Sequence, residues 1–287
     1  GPNIRVRTEM PKGSLPRVHS EAQRISPNAY YEGTSTMPRS RSVGKAFEKE
    51  MSTRANLTKT RSRMAFIMVG LPARGKSFIS RRLESFLSWK GHTTKVFNVG
   101  KYRREAFKAD LSGKSDFYDH TNKEASKERE RVAKMALDDM LKWLSQEGEI
   151  GIFDATNSTE ARRQLILATC REASLDLGIV FLETLCTNRD VLEENMLCKV
   201  AGSPDFAHLT EEEALADLRA RIAKYEAVYE TIEEDADYSY IKLYNMSSRV
   251  LVSGCYGRVA QSILPYLMAI HIGPRPVWLG RAGEGVG

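Results

Sequence analysis

The chain has 287 residues, 41% of them hydrophobic and 28% charged, which is enough apolar material for one large α/β domain or one domain with extensions. It contains no run of about 18 apolar residues and opens on no apolar segment, so neither a membrane span nor a signal peptide is expected. The formal charge of +6 hints at nucleic acid, but residues 1–63 carry 13 Lys+Arg against 5 Asp+Glu and the remainder 30 against 32, so the basicity belongs to an extension and no nucleic-acid partner is expected.

Residues 1–62 also hold five of the ten prolines and many Ser and Thr. They read as a flexible or peripherally docked arm. Within it, Arg39-Ser-Arg41-Ser fits a basophilic phosphorylation site. Four cysteines, Cys170, Cys186, Cys198 and Cys255, show no C-x-x-C spacing. This argues against zinc or a disulfide framework and for a reducing compartment, the cytoplasm.

Met64–Val69 is an uninterrupted apolar run of the length of a strand buried on both faces. It ends in Gly70-Leu71-Pro72-Ala73-Arg74-Gly75-Lys76-Ser77, the Walker A spacing. The glycines let successive N–H groups turn toward phosphate oxygens, and the following helix adds its positive end. Lys76 then reaches the β- and γ-phosphates and Ser77 holds Mg²⁺. A Gly/Pro-rich turn between strand and helix would look similar, but here strand, loop and a helix with Phe78, Leu83, Phe86 and Leu87 on one face arrive in the required order.

His92–Val99 reads as a second strand, followed by a charged loop with Arg103 and Arg104. Loops at the carboxyl ends of parallel strands bind ligands, so these arginines suit an anion, though a solvated turn would look the same. Residues 108–126 read as a mobile polar loop. A helix is expected from about Lys127 to Ser145 with Arg129 in its first turn, where a cation opposes the helix dipole. The short strand Gly148–Phe153 stops at Asp154-Ala-Thr156-Asn157. A carboxylate there is placed to bind Mg²⁺ or to accept the proton of an attacking hydroxyl; the alternative is an N-cap for the helix Thr159–Ala173, a role that Asn157 or Ser158 fills equally well.

Arg162 falls in the first turn of that helix. Gly178–Thr184 is a fourth strand, followed by Cys186 and an irregular stretch around Asn195–Phe206. Thr210-Glu-Glu-Glu213 is a capping box for a helix to about Thr231. On it, Arg221 and Tyr225 share a face; they could grip a phosphorylated polyol, or be a solvated Arg and a packed Tyr. Two more strands, Tyr240–Leu243 and Arg249–Val252, and a helix over Gly257–Ile270 complete an alternation that implies a mainly parallel sheet with helices on both faces.

Taken together, VGLPARGKS, KVFNVGKYRREA, IFDATN followed by ARR, GSPDF, RIAKYE and HIGPRPVWL resemble, in the same order and over about Arg63–Leu279, the kinase domain of the 6-phosphofructo-2-kinase/fructose-2,6-bisphosphatase family. A nucleoside-monophosphate kinase shares the first motif only. The resemblance implies a P-loop NTPase-like α/β fold over residues 63–272 and transfer of a phosphoryl group from MgATP to the 2-hydroxyl of fructose 6-phosphate, giving fructose 2,6-bisphosphate. It assigns ATP to Gly70–Ser77 with Asn195 and Lys199, Mg²⁺ to Ser77 and Asp154, and catalytic roles to Lys76, Asp154 and Cys186. The sugar phosphate falls to Arg103, Arg104, Arg129, Thr156, Arg162, Arg221 and Tyr225. A homodimer is compatible with it, and nothing in it implies a membrane partner.

Two departures stand out. The family has a lysine four residues before the proline of its SPD motif; Val200 occupies that place here, with Lys199 one residue earlier. The expected outcome is a loop remodelled so that Lys199 reaches the phosphates; the alternatives are a nucleotide-binding regulator with degraded chemistry and a P-loop kinase for another metabolite. Where the phosphatase half begins with Arg-His-Gly-Glu, residues 273–287 contain Arg281-Ala-Gly-Glu284. Without that histidine no phosphohistidine forms, and no phosphatase activity is expected.

Overall fold

The computed structural model describes residues 63–107, 115–119, 121–173, 175–245 and 249–270. The expectations for the N-terminal arm with its Arg39-Ser-Arg41 pattern, for the C-terminal remnant from residue 273, and for residues 108–114 and 120 of the polar loop fall outside these residues; the rest of that expected loop holds a 3₁₀ turn at Ser115–Tyr118 and the start of a helix at Lys123.

A six-stranded sheet forms the centre. It contains β1 (Arg63–Val69), β2 (Thr94–Asn98), β3 (Ile150–Asp154), β4 (Leu177–Leu185), β5 (Tyr240–Tyr244) and β6 (Arg249–Ser253), in the spatial order β2-β3-β1-β4-β5-β6. Every pairing is parallel except β5 with β6. Alternate residues of β1 enter opposite layers, as a pleated strand requires. Met64, Phe66 and Met68 pack with Ile79, Leu83 and Leu87 of α1 (Lys76–Trp89) and with Ile263 and Leu267 of α7 (Arg258–Ala269). Ala65, Ile67 and Val69 pack with Leu137, Met140 and Leu144 of α3 (Lys123–Gln146) and with Ile166 and Leu167 of α4 (Glu160–Glu172). The mainly parallel, doubly covered sheet expected from the alternation is what forms.

Several expected boundaries move, each for a local reason. The strand ending at Val99 stops at Asn98, and the presumed charged loop is a helix, α2 (Val99–Phe107). Asn98 Oδ1 accepts the Lys101 N–H at 2.9 Å, capping the helix as soon as the strand ends. Asn122 caps α3 through the Ala125 N–H, so α3 begins at Lys123 and Arg129 lies in its second turn, not its first. The irregular stretch around Asn195 is the body of α5 (Arg189–Gly202), capped by Asn188; only residues 203–210 remain irregular, with a 3₁₀ turn at Pro204–Phe206. The cap of α4 is Thr159, which removes the capping alternative for Asp154. The predicted capping box at Thr210 forms and opens α6 (Glu211–Glu226), which ends before Thr231.

The connection from α6 to β5 is tied down from beneath by Arg163, fully buried. Its guanidinium donates to the carbonyls of Asn157, Glu230 and Thr231, and to Tyr238 Oη, and pairs with Glu160 at 2.8 Å. Glu183, also fully buried, accepts from Tyr229, Thr231 and the Ile232 N–H and faces Lys242 at 3.6 Å. Replacing Arg163 by Met strands three carbonyls, so Arg163→Met is expected to lower stability by about 2–4 kcal/mol, read as a lower urea midpoint at unchanged m. A loss under about 0.5 kcal/mol would show that the connection does not depend on this residue.

Candidate active site

The loop Gly70–Ser77 leaves the carboxyl end of β1 and closes onto α1. Gly70 has φ +139°, and a Cβ on it would lie 2.7 Å from the Thr184 carbonyl oxygen, so β4 approaches too closely for any side chain. Its N–H donates to the Thr156 carbonyl at 2.9 Å, joining the loop to the segment after β3. Gly75 takes a left-handed conformation at the N-cap of α1 and supplies no side-chain cap. The first amides of that helix are left to an anion.

Lys76 is buried, with Nζ donating to the Leu71 carbonyl at 2.6 Å. Burial pulls its pKa down to about 7, against the attraction of Asp154 and with the help of Lys199 and Arg74. An ammonium in that position gains most when phosphate charge arrives. Asp154, also buried, ends β3 and accepts from Asn98 Nδ2 at 2.5 Å. Ser77 in the first turn of α1 and Asp154 at the end of β3 are two hard oxygen donors. That sparse set fits Mg²⁺, which takes one or two protein ligands and completes its shell with water and substrate phosphate.

Beside this loop lies a second cationic centre. Arg103 and Arg104 of α2 and Arg221 of α6 converge on the carboxylate of Asp205. Arg103 Nη2 donates to Oδ2, Arg104 Nη1 stands 3.6 Å from Oδ1, and Arg221 Nη1 stands 3.4 Å from Oδ2. Arg221 is buried, between the rings of Tyr118 and Phe206 at 4.7 Å each, and pairs with Asp217 at 2.6 Å. The solvated alternative for Arg221 is thereby set aside. Arg129 donates to the carbonyls of Phe117 and Asp119, and Tyr225 packs its ring on Tyr118 at 5.8 Å.

The remaining expected residues divide. Lys199 of α5 is exposed, within electrostatic reach of Asp154 in the first centre and of Asp205, Arg103 and Arg221 in the second. Desolvation lowers its pKa, opposed by Asp154 and Asp205, while Arg103 and Arg221 add to the lowering. Val200 packs instead into an apolar cluster with Phe206, Leu218 and Ile222, against which Ala73 of the loop also rests. Asn195 Nδ2 and Arg162 Nη2 are buried without a hydrogen-bond partner among the described residues. Arg74 reaches away from the loop to Glu226 of α6 at 3.2 Å. Cys186 is buried just past the tip of β4, its thiol 3.8 Å from the Asn188 carbonyl.

Three contributors went unmarked in the sequence. Asn98 was read only as part of a strand, although an Asn at a strand tip just before a helix is itself a capping signal. Asp205 sat in a quoted motif without a role. Tyr118 lay in a stretch read as loop, and no local pattern announces it.

The family model described as 6-phosphofructo-2-kinase matches residues 51–274. The 6-phosphofructo-2-kinase/fructose-2,6-bisphosphatase of Arabidopsis thaliana is 42% identical over 226 residues, covering 77% of this chain and 29% of that protein. That of Gallus gallus is 41% identical over 221 residues, 76% of this chain and 46% of that one. The Homo sapiens protein of the same name, numbered 3, is 41% identical over 229 residues, 78% of this chain and 43% of that one. The chain thus spans less than half the length of these relatives. With the phosphate-type loop, the strand-tip aspartate and the arginine centre in one cleft, it belongs to the 6-phosphofructo-2-kinase family.

Proposed function

We propose that this chain transfers the γ-phosphoryl group of ATP to the 2-hydroxyl of fructose 6-phosphate. The observation that carries the reading is the pairing of two cationic sites, the Gly70–Ser77 loop with Lys76 and the Arg103/Arg104/Arg221 centre, with Lys199 in electrostatic reach of both. A substrate already phosphorylated at one end suits the arginines, while its free hydroxyl faces the loop.

In this reading the loop amides and Lys76 hold the β- and γ-phosphates, and Asn98 fixes the Asp154 carboxylate at the strand tip. The attacking hydroxyl oxygen forms the new P–O bond, the bond from the γ-phosphorus to the β–γ bridging oxygen breaks, ADP leaves, and the proton passes to Asp154. Ser77 would hold Mg²⁺ directly and Asp154 through a bound water, and the ion would neutralise phosphate charge. Lys199 adds a further positive charge beside the transferred group, and Arg162 and Arg129 extend the sugar side. We take residues 63–272 as the kinase domain.

Lys76→Met is expected to lower kcat on the order of 10²-fold or more without shifting the thermal melt downward; unchanged ADP formation would remove Lys76 from the mechanism. Arg103→Ala or Arg162→Ala is expected to raise the KM for fructose 6-phosphate by about tenfold or more, since a charged hydrogen bond contributes about 1.5–3 kcal/mol, and to spare the KM for ATP. Equal weakening of both ligands would place these residues on the nucleotide side.

Lys199→Ala is expected to cost several kcal/mol of transition-state stabilisation, judged by the usual cost of removing a preorganised charge, whereas Val200→Lys buries an ammonium in the Phe206 cluster and gains no activity. Both are read as kcat at saturating ATP and fructose 6-phosphate. An inert Lys199→Ala, or a faster Val200→Lys, would refute the assignment.

A further inference from the structure

The arginine centre poses an electrostatic problem. Three guanidinium groups carried by two helices crowd into a partly desolvated cleft, where like charges repel and each loses hydration. Burial lowers the pKa of Arg103, and the neighbouring Arg221 and Arg104 lower it further. The charge that opposes this comes from a residue with no assigned part in the reaction.

We propose that Asp205 is a positioning residue of the sugar-phosphate site, its carboxylate gathering Arg103, Arg104 and Arg221 into one fan that a phosphoryl group then meets. This rests on the function proposed above. One carboxylate reaches both helices: Oδ2 takes Arg103 from α2 and Arg221 from α6, and Oδ1 faces Arg104. No other described acidic side chain is paired with arginines of both helices. Asp205 is itself held in place. Its N–H donates to Ser203 Oγ at 3.4 Å, and the next residue, Phe206, is buried against α6. The loop therefore presents the carboxylate from a fixed position.

The balance of charge makes the arrangement useful. Asp205 and, through Arg221 alone, Asp217 offset two of the three positive charges, and the net positive charge that remains suits a phosphate anion. The Nε of Arg103 is buried without a hydrogen-bond partner among the described residues, so this guanidinium keeps donor capacity while bound to Asp205. Without the carboxylate, α2 and α6 lose the anion that their arginines share among the described residues, and the substrate must do more to assemble the fan. That cost falls on binding of the phosphorylated sugar and not on ATP.

The test is Asp205→Asn, which keeps the side-chain shape and removes the charge, with Asp205→Glu as the variant that restores it. Steady-state ADP release is measured against fructose 6-phosphate and ATP separately, and calorimetric titration of MgATP confirms a folded nucleotide site. Asp205→Asn is expected to raise the KM for fructose 6-phosphate about tenfold or more and to move the KM for ATP less than twofold, with Asp205→Glu recovering part of the loss. If Asp205→Asn does not fold, the Asp205→Glu variant decides alone: a rise confined to the fructose 6-phosphate KM supports the assignment, and equal rises in both KM values overturn it. A lowered KM for fructose 6-phosphate in Asp205→Asn would show that the carboxylate competes with substrate, and an unchanged one that it positions nothing; either overturns the inference. A wild-type protein that releases no ADP with fructose 6-phosphate would instead overturn the proposed function.

Discussion

The in-register parallel pairing of β2 with β3 sets Asn98 directly opposite Asp154, and much of the cleft depends on that one juxtaposition. The Asn98 amide donates to the Asp154 carboxylate with its nitrogen and caps α2 with its oxygen. A single side chain thus fixes the acid at the strand tip and the start of the helix that carries Arg103 and Arg104. The Asp154 side and the arginine side of the site are built from the same corner of the sheet, so a shift of one residue in this register would turn both away.

Charge in the cleft is managed locally. Beyond residue 63 the chain is close to neutral, yet Lys76, Lys199, Arg103, Arg104 and Arg221 are brought close together, and burial works against the cationic form of several of them. Asp205 and Asp217 offset part of this on the sugar side. On the nucleotide side Asp154 favours the charged lysine while the Leu71 carbonyl accepts from it. Such a site is poised for phosphate because anions relieve a repulsion that the fold imposes.

What could be read from the sequence was whatever depends on short-range pattern. The loop glycines, the apolar β1, the α/β alternation and the Thr210 capping box are all local signals, and the fold follows them. What escaped depends on distance. The helical stretch Arg189–Gly202 has no clear apolar face, because its inward residues meet a cleft and a small satellite cluster instead of the main core, so periodicity did not reveal it. Arg129 was placed one turn too early because the Asn122 cap was overlooked. The convergence of Arg103, Arg104 and Arg221 on Asp205 joins residues up to 118 positions apart, and no spacing rule reports it. Cys186 was carried over from likeness alone, with no local pattern to mark it.

The strand order has a consequence for the protein's birth on the ribosome. Of the described strands β1 is made first, yet it is central, and its neighbours are β3 and β4, which emerge only after a further 80 to 115 residues. Until then Met-Ala-Phe-Ile-Met-Val waits without a sheet partner, an apolar, uncharged segment of the kind that associates between chains. The nascent chain therefore passes through an interval of stickiness set by topology and not by final stability, and slow translation across α2 and α3 would lengthen it.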